Sequence, residues 1–200
     1  MTIEKQKQIA DYLLSKLEAI DPFCILAGGA PRDWFFEREA TDLDIYLHIP
    51  KYFKFKVFEK QLAAIGITDT VFSSTFNEDS DYRRNPLVRW VLSFVYDDMP
   101  VQLIVMTEST FDSVVDHFPL SICKAWYKQG AICQTGKWSQ FGVTVARKAI
   151  VKTGEAYSAG GWYIEKILAK FPDFTFYDSM QDFCAVEGLL YDEQIPAYLR

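Results

Sequence analysis

Apolar residues in the first twenty positions recur at Ile3, Ile9, Leu13, Leu14, Leu17 and Ile20, the spacing of one helix face. The pattern predicts a helix over "IEKQKQIADYLLSKLEAI", ended by Asp21-Pro22 because the residue before a proline disfavours helical backbone. The period then changes. "FCILAGG" reads as a short buried strand running into a glycine turn. "PRDWFFE" opens with Pro31, a good first helical residue, and predicts a short helix. "TDLDIYLHI" alternates, with Leu43, Ile45, Leu47 and Ile49 on one face and Asp42, Asp44, Tyr46 and His48 on the other. That is a strand with one buried and one polar face.

"YFKFKVFEKQLAAIG" reads as an amphipathic helix stopped by Gly66. "DTVFSSTF" predicts a strand and "NEDSDYRRNP" a polar loop. "LVRWVLSFVYDDMPVQLIVM" predicts two strands joined at Asp97-Asp98-Met99-Pro100, and "LSICKAWYKQGAICQT" a second hairpin. From about Trp138 the chain reads as mainly helical. There is no internal repeat and no low-complexity tract. The expected class is α/β (α+β), a mixed sheet flanked by helices with a helical C-terminal part. The expected division is a core of residues 1–136 with residues 137–200 packed on it.

The 200 residues are half hydrophobic and 16 % aromatic, enough for one domain with a substantial core. No apolar run approaches the ~20 residues of a membrane span, and the charged N-terminus is unlike a secretion signal. The expectation is a soluble, cytoplasmic protein with no membrane partner, of a compact size that suits a phage or mobile element. Cys24, Cys123, Cys133 and Cys184 form no CxxC pair, and His48 and His117 are the only histidines. Reduced structural thiols are expected rather than a zinc site.

The net charge of −6 hides a division. Residues 122–170 hold eight Lys or Arg and two acids, while residues 171–200 hold one Arg and six acids. The basic segment carries Trp126, Tyr127, Trp138, Phe141, Tyr157, Trp162 and Tyr163, a mixture that suits backbone contact and base stacking with nucleic acid. The same residues also suit a core and a solvated face. Gly160-Gly161 reads as a helix start.

The candidate chemistry lies in Ile25 to Pro50. Asp42 and Asp44, two apart on a strand, put their side chains on one face ~7 Å apart. Two such carboxylates repel unless a cation lies between them, and Mg²⁺ favours one or two carboxylates plus substrate phosphates. Such a pair could serve two ions in an in-line phosphoryl displacement. Gly28-Gly29 permits close backbone approach at a strand end, and its N–H groups make an anion site with the following helix. Arg32 adds a charge-assisted contact to phosphate, with Asp33 capping or orienting it. Arg83 and Arg84 read either as a grip on a triphosphate or as plain surface arginines.

"GGAPRDWFFEREATDLDIYL" resembles the nucleotidyltransferase superfamily that includes DNA polymerase beta. It is most similar to the tRNA CCA-adding enzyme and bacterial poly(A) polymerase branch, whose motif is GG-x-x-RD followed by DxD. The resemblance covers Leu26 to Leu47, about a tenth of the chain. It implies that Gly28 and Gly29 hold a nucleoside triphosphate such as ATP, and that Arg32 and Asp33 fill the Arg-Asp position. It also implies that Asp42 and Asp44 bind two Mg²⁺ ions, with Mn²⁺ able to substitute. The implied reaction moves a nucleoside monophosphate to an acceptor hydroxyl, first an RNA 3′ end. Two departures stand out. Gln102 falls where many members carry a third carboxylate, and "YRRNPLVRW" lacks the Asp-Phe of the branch's RRDF-type motif. The alternatives are a catalytically weakened nucleotide- or RNA-binding protein of the same fold, and a transferase acting on a protein or small molecule. Oligomeric state is not legible.

Overall fold

The computed structural model describes residues 1–50, 52–73, 87–107, 111–134, 140–153 and 161–189. Two compact units emerge: Met1–Val114 with Trp126–Ile132, and Val115–Ala125 with Cys133–Arg200.

The first unit opens with α1 (Ile3–Leu17). The Thr2 side chain accepts the Lys5 N–H at 3.3 Å, a cap worth ~1 kcal/mol. The helix stops at Leu17, short of the expected Ile20, because the Ile20 and Asp21 N–H groups both turn back to the Leu17 carbonyl. Asp21 is itself buried and accepts the N–H groups of Phe23 and His48 at 3.0 and 2.8 Å. Its carboxylate therefore holds the turn.

There follow β1 (Ile25–Ala27), α2 (Gly29–Phe35), β2 (Leu43–His48), α3 (Phe55–Ala64), β3 (Val71–Ser73), β4 (Val88–Tyr96) and β5 (Met99–Met106). β6 (Ala125–Lys128) and β7 (Ala131–Gln134) complete a seven-stranded sheet in the order β3-β4-β5-β2-β1-β6-β7. β2 and β5 run parallel, whereas β1–β2, β1–β6, β3–β4 and β4–β5 are antiparallel. This is the expected mixed sheet.

Turn chemistry sets the hairpins. Tyr96 pairs with Met99, so the β4–β5 turn is Asp97-Asp98 alone, both left-handed at φ 49° and 62°. Left-handed pairs match the strand twist, so Met99 and Pro100 belong to β5 rather than to the four-residue joint read from the sequence. Gln129-Gly130, at φ 51° and 79°, links β6 to β7 in the same way. α3 closes at Gly66 (φ 85°), where the Gly66 and Ile67 N–H groups reach back to Ala63 and Leu62.

One sheet face carries Leu26, Leu43, Ile45, Leu47, Leu92, Val101, Leu103 and Val105. It forms a single core with Ile9, Leu13 and Leu17 of α1 and Phe58 and Leu62 of α3. The other face was expected to be polar along β2, but Tyr46 is 6 % exposed. Its cross-strand neighbours Ile25 and Ile104 are buried as well. The centre of the sheet is thus covered on both sides, and the polar character of this β2 face survives at its two ends, Asp44 and His48.

In the second unit a 3-10 turn at Ser121–Cys123 is followed by α5 (Gln140–Val145), β8 (Ala149–Val151), α6 (Gly161–Lys170), β9 (Thr175–Tyr177) and α7 (Met180–Val186). α4 (Phe111–Asp116) precedes the turn. The expected helices are joined by a parallel pair, β8 and β9, each three residues long. Strands that short leave no readable alternation. Ala149, Val151, Phe183 and Cys184 form the core here, and buried Ser121 accepts from the Val151 N–H and the Thr144 hydroxyl, both at 3.0 Å. Among the described residues no helix is long and apolar enough to cross a membrane.

Candidate active site

β1 and β2 are antiparallel, with Leu26 beside Ile45. The end of β1 therefore leaves the sheet alongside the start of β2. At that point the chain makes its sharpest departure. Gly28 has φ 83° and ψ −116°, a conformation that any side chain would strain. It swings the chain directly into α2, which begins at Gly29, two residues before the expected Pro31.

Arg32 folds back over this turn. A Cβ placed on Gly29 would lie 3.8 Å from an Nη atom of Arg32. The Arg32 Nε–H donates to the Asp33 carboxylate at 2.9 Å, and the two residues are only 5 % and 3 % exposed. A buried charge pair is maintained only with good geometry, so Asp33 orients Arg32. The result is a fixed guanidinium, ion-paired with Asp33, beside a glycine turn.

Asp42 lies one residue before β2, because β1 has already turned away at Gly28 and leaves residues 41 and 42 outside the ladder. The strand therefore starts two residues later than "TDLDIYLHI" suggested. The Thr41 hydroxyl donates to the Asp42 carboxylate at 3.0 Å. Asp44 is half-buried within β2 and stands in register with Gln102 of β5, which in turn stands in register with Ser93 of β4. Asp44, Gln102 and Ser93 form a polar row across three strands. The position expected for a third carboxylate is thus the one beside Asp44, and it holds a neutral amide.

This donor set can be tested against a divalent ion. Two carboxylates on one short stretch, beside a turn suited to phosphate, fit one Mg²⁺ that completes its shell with phosphate oxygens and water. A second ion would need a further anionic ligand. Among the described residues no three His, Cys, Asp or Glu side chains gather in a metal-binding group.

Arg83 and Arg84 lie outside the described residues, as do Trp138, Tyr157 and Gly160. The segment 122–170 is divided between the two units, and parts of it face inward. Tyr127 and Phe141 are core residues, and burial together with Asp11, whose carboxylate accepts the Tyr127 hydroxyl at 2.9 Å, pushes that phenol's pKa up. Lys124 is buried and donates to the Asp116 carbonyl at 3.0 Å, with burial lowering its pKa to about 8. Lys128 donates to the carbonyls of Pro22 and Cys24 and pairs with Glu18. Trp162 is exposed at 56 %. Cys24, Cys123 and Cys184 are buried thiols and Cys133 a half-buried one, none of them in a disulfide. Burial raises Cys24 to about 12. His48 sits four residues beyond Asp44 at the other end of β2.

One residue escaped the sequence reading. Gln6 lies on the apolar stripe of α1, three residues from both Ile3 and Ile9, and is 2 % exposed. A polar residue on a buried stripe was the available signal. Its side chain bonds both Trp34 of α2 and Ala40, two residues before Asp42.

No protein-family model matches the chain, and no curated protein matches it in sequence. Solved structures do match. The Thermotoga maritima CCA-adding enzyme complexed with tRNA aligns over 88 % of this chain with a TM-score of 0.59 and 13 % identity. The Bacillus stearothermophilus CCA-adding enzyme in complex with CTP aligns over 86 % with a TM-score of 0.56 and 12 % identity. A CCA-adding enzyme solved with ATP aligns over 92 % with a TM-score of 0.58 and 12 % identity. The fold is nucleotidyltransferase-like. This chain spans 41 to 42 % of the length of those three proteins. Within the nucleotidyltransferase-like fold, the glycine turn, the Arg32–Asp33 pair and the two aspartates all gather at one end of the β1–β2 seam.

Proposed function

We propose that this chain is a nucleotidyltransferase that moves a nucleoside monophosphate from a nucleoside triphosphate to an acceptor hydroxyl. The observation that carries the reading is the meeting of the Gly28–Arg32 turn with Asp42 and Asp44 where β1 and β2 lie side by side. A glycine turn with a fixed guanidinium beside it suits a triphosphate. Two carboxylates next to that phosphate suit a divalent ion, Mg²⁺ or Mn²⁺, held by Asp42 and Asp44. When bound, that ion supplies neutralisation of phosphate charge and polarisation of the reacting P–O bonds.

The rest falls to the chain's own groups. The turn N–H groups and Arg32 hold the phosphates, and Asp33 keeps Arg32 aimed. The acceptor oxygen bonds to the α-phosphorus, the bond to the bridging pyrophosphate oxygen breaks, and the hydroxyl proton leaves to solvent. The first acceptor is an RNA 3′ end, with the exposed parts of residues 122–170, Trp162 among them, available for contact. That similar proteins were solved with tRNA, CTP and ATP supports nucleotide and RNA as the partner classes.

Gln102 favours a second reading. A neutral amide beside Asp44 weakens cation binding, which suits a protein that binds nucleotide without turnover. One experiment separates the two. The protein is incubated with Mg²⁺ or Mn²⁺, each α-labelled nucleotide in turn, and an RNA and protein extract, beside an Asp42→Asn/Asp44→Asn variant. Label entering RNA, and lost in the variant, is the expected result. Label entering protein would move the acceptor to a protein hydroxyl. Triphosphate binding without transfer would establish the second reading.

A further inference from the structure

We infer that Gln6 is a positioning residue that fixes the separation between the phosphate-binding turn and the metal-binding aspartates; the functional part of this inference rests on the nucleotidyltransferase reading. Burying an amide among apolar residues is costly unless it is hydrogen-bonded. Gln6 meets that cost in an unusual manner. Its Nε2 donates to the Ala40 carbonyl at 2.8 Å, and its Oε1 accepts the Ala40 N–H at 2.9 Å. One side chain thus pairs with both polar groups of one residue, as a neighbouring strand would. The same Oε1 accepts the Trp34 indole N–H at 2.8 Å.

The two partners belong to the two halves of the site. Trp34 follows Asp33 in α2, the helix that carries Arg32. Ala40 lies in the connection between α2 and β2, two residues before Asp42. That connection belongs to no helix or strand, and Gln6 supplies both of Ala40's backbone bonds. α1 is anchored in the core through Ile9, Leu13 and Leu17. The core-anchored helix α1 therefore contacts the guanidinium half and the carboxylate half at once through one amide. Displacements of about 1 Å cost on the order of 100-fold in rate when reacting groups must meet.

The test compares Gln6→Met, Gln6→Glu and Leu13→Val, the last a core change on α1 seven residues beyond Gln6 that removes none of its hydrogen bonds. Hydrogen exchange over residues 28–44 reads the geometry without any reaction, alongside thermal unfolding and nucleotide transfer. Gln6→Met removes all three bonds. It is expected to speed exchange at Ala40 and across 38–44 at least tenfold beyond any change in Leu13→Val, and to lower the transfer rate about 100-fold. Gln6→Glu keeps the acceptor, and its protonated form restores the donor to Ala40. It is expected to recover both protection and transfer as pH falls, relative to wild type at each pH. Burial raises a carboxyl's pKa, so recovery begins above the ordinary carboxylate range. Exchange over 38–44 in Gln6→Met equal to that in Leu13→Val would overturn the inference. So would a transfer rate matched to Leu13→Val at equal stability. If wild type transfers nothing, the nucleotidyltransferase reading fails, while the exchange comparison still decides whether Gln6 holds the two halves.

Discussion

Asp44 and Gln102 face each other across the parallel β2–β5 ladder, in register and on the same side of the sheet. Neighbouring strands lie ~4.8 Å apart, so a carboxylate at position 102 would share any ion held at Asp44. Gln102→Glu is expected to raise Mn²⁺ affinity about tenfold or more, read by the loss of free-ion signal in electron paramagnetic resonance. Without metal, like charges opposite each other cost ~0.5–1 kcal/mol. That penalty grows as pH rises through the carboxylate range and disappears on adding Mn²⁺. Unchanged Mn²⁺ binding would place the ion away from this row.

The Arg32–Asp33 pair makes a separate prediction. Arg32→Met strands a buried carboxylate and is expected to cost about 3–5 kcal/mol in urea unfolding. Asp33→Leu strands the guanidinium at similar cost. The double variant Arg32→Met/Asp33→Leu is expected to regain most of that stability, yet to lose triphosphate binding in a fluorescent-nucleotide titration. Retained binding in the double variant would remove Arg32 from the phosphate site.

Lys124 gives a pH signature in the second unit. Burial, the dominant cause, lowers its pKa from the ordinary 10.5 to about 8, with Asp116 partly opposing. Between those values the unfolded chain binds a proton that the folded chain has released, so stability rises with pH across the window. The penalty below pH 8 is on the order of 3 kcal/mol, offset by about 1 kcal/mol for the bond to the Asp116 carbonyl. Lys124→Met is therefore expected to stabilise by about 2 kcal/mol at pH 7, with the gain vanishing toward pH 10.5. Denaturation curves at the two pH values decide the matter, and a gain independent of pH would contradict it.

The hairpin turn offers a gain. Asp98 sits at φ 62°, where only glycine is free of steric cost, and its neighbour Asp97 is engaged by Lys5. Asp98→Gly creates the Asp-Gly pair favoured at such turns and is expected to add ~0.5–1 kcal/mol. A thermal melt is enough to check it, and a lower melting temperature would refute the turn assignment.

Much of the first unit was legible because its signals are local. Alternation placed β2, the apolar run before two glycines placed β1, and Gly66 marked the end of α3. Gln102 was identified from its strand alone, and the register then set it beside Asp44. What stayed hidden depends on contacts distant in sequence. Tyr46 read as polar-facing because nothing near it in sequence reveals that Ile25 and Ile104 flank it. Gln6 went unnoticed because its partners lie 28 and 34 positions away. Tyr127 and Lys124 read as parts of a basic-aromatic surface because composition cannot tell a core residue from an exposed one. The β8–β9 pair consists of strands too short to declare a period.

The sheet order has a kinetic consequence. β4–β5 and β6–β7 are hairpins closed by two-residue turns, the type of contact that forms in microseconds. β2 and β5 join residues almost sixty positions apart in parallel, and such closures are slow because loop entropy is lost before the contacts are gained. Asp44 meets Gln102 only at that late step. The Asp44–Gln102 row thus assembles after the hairpins, and a chain caught midway through folding would hold finished hairpins but no such row.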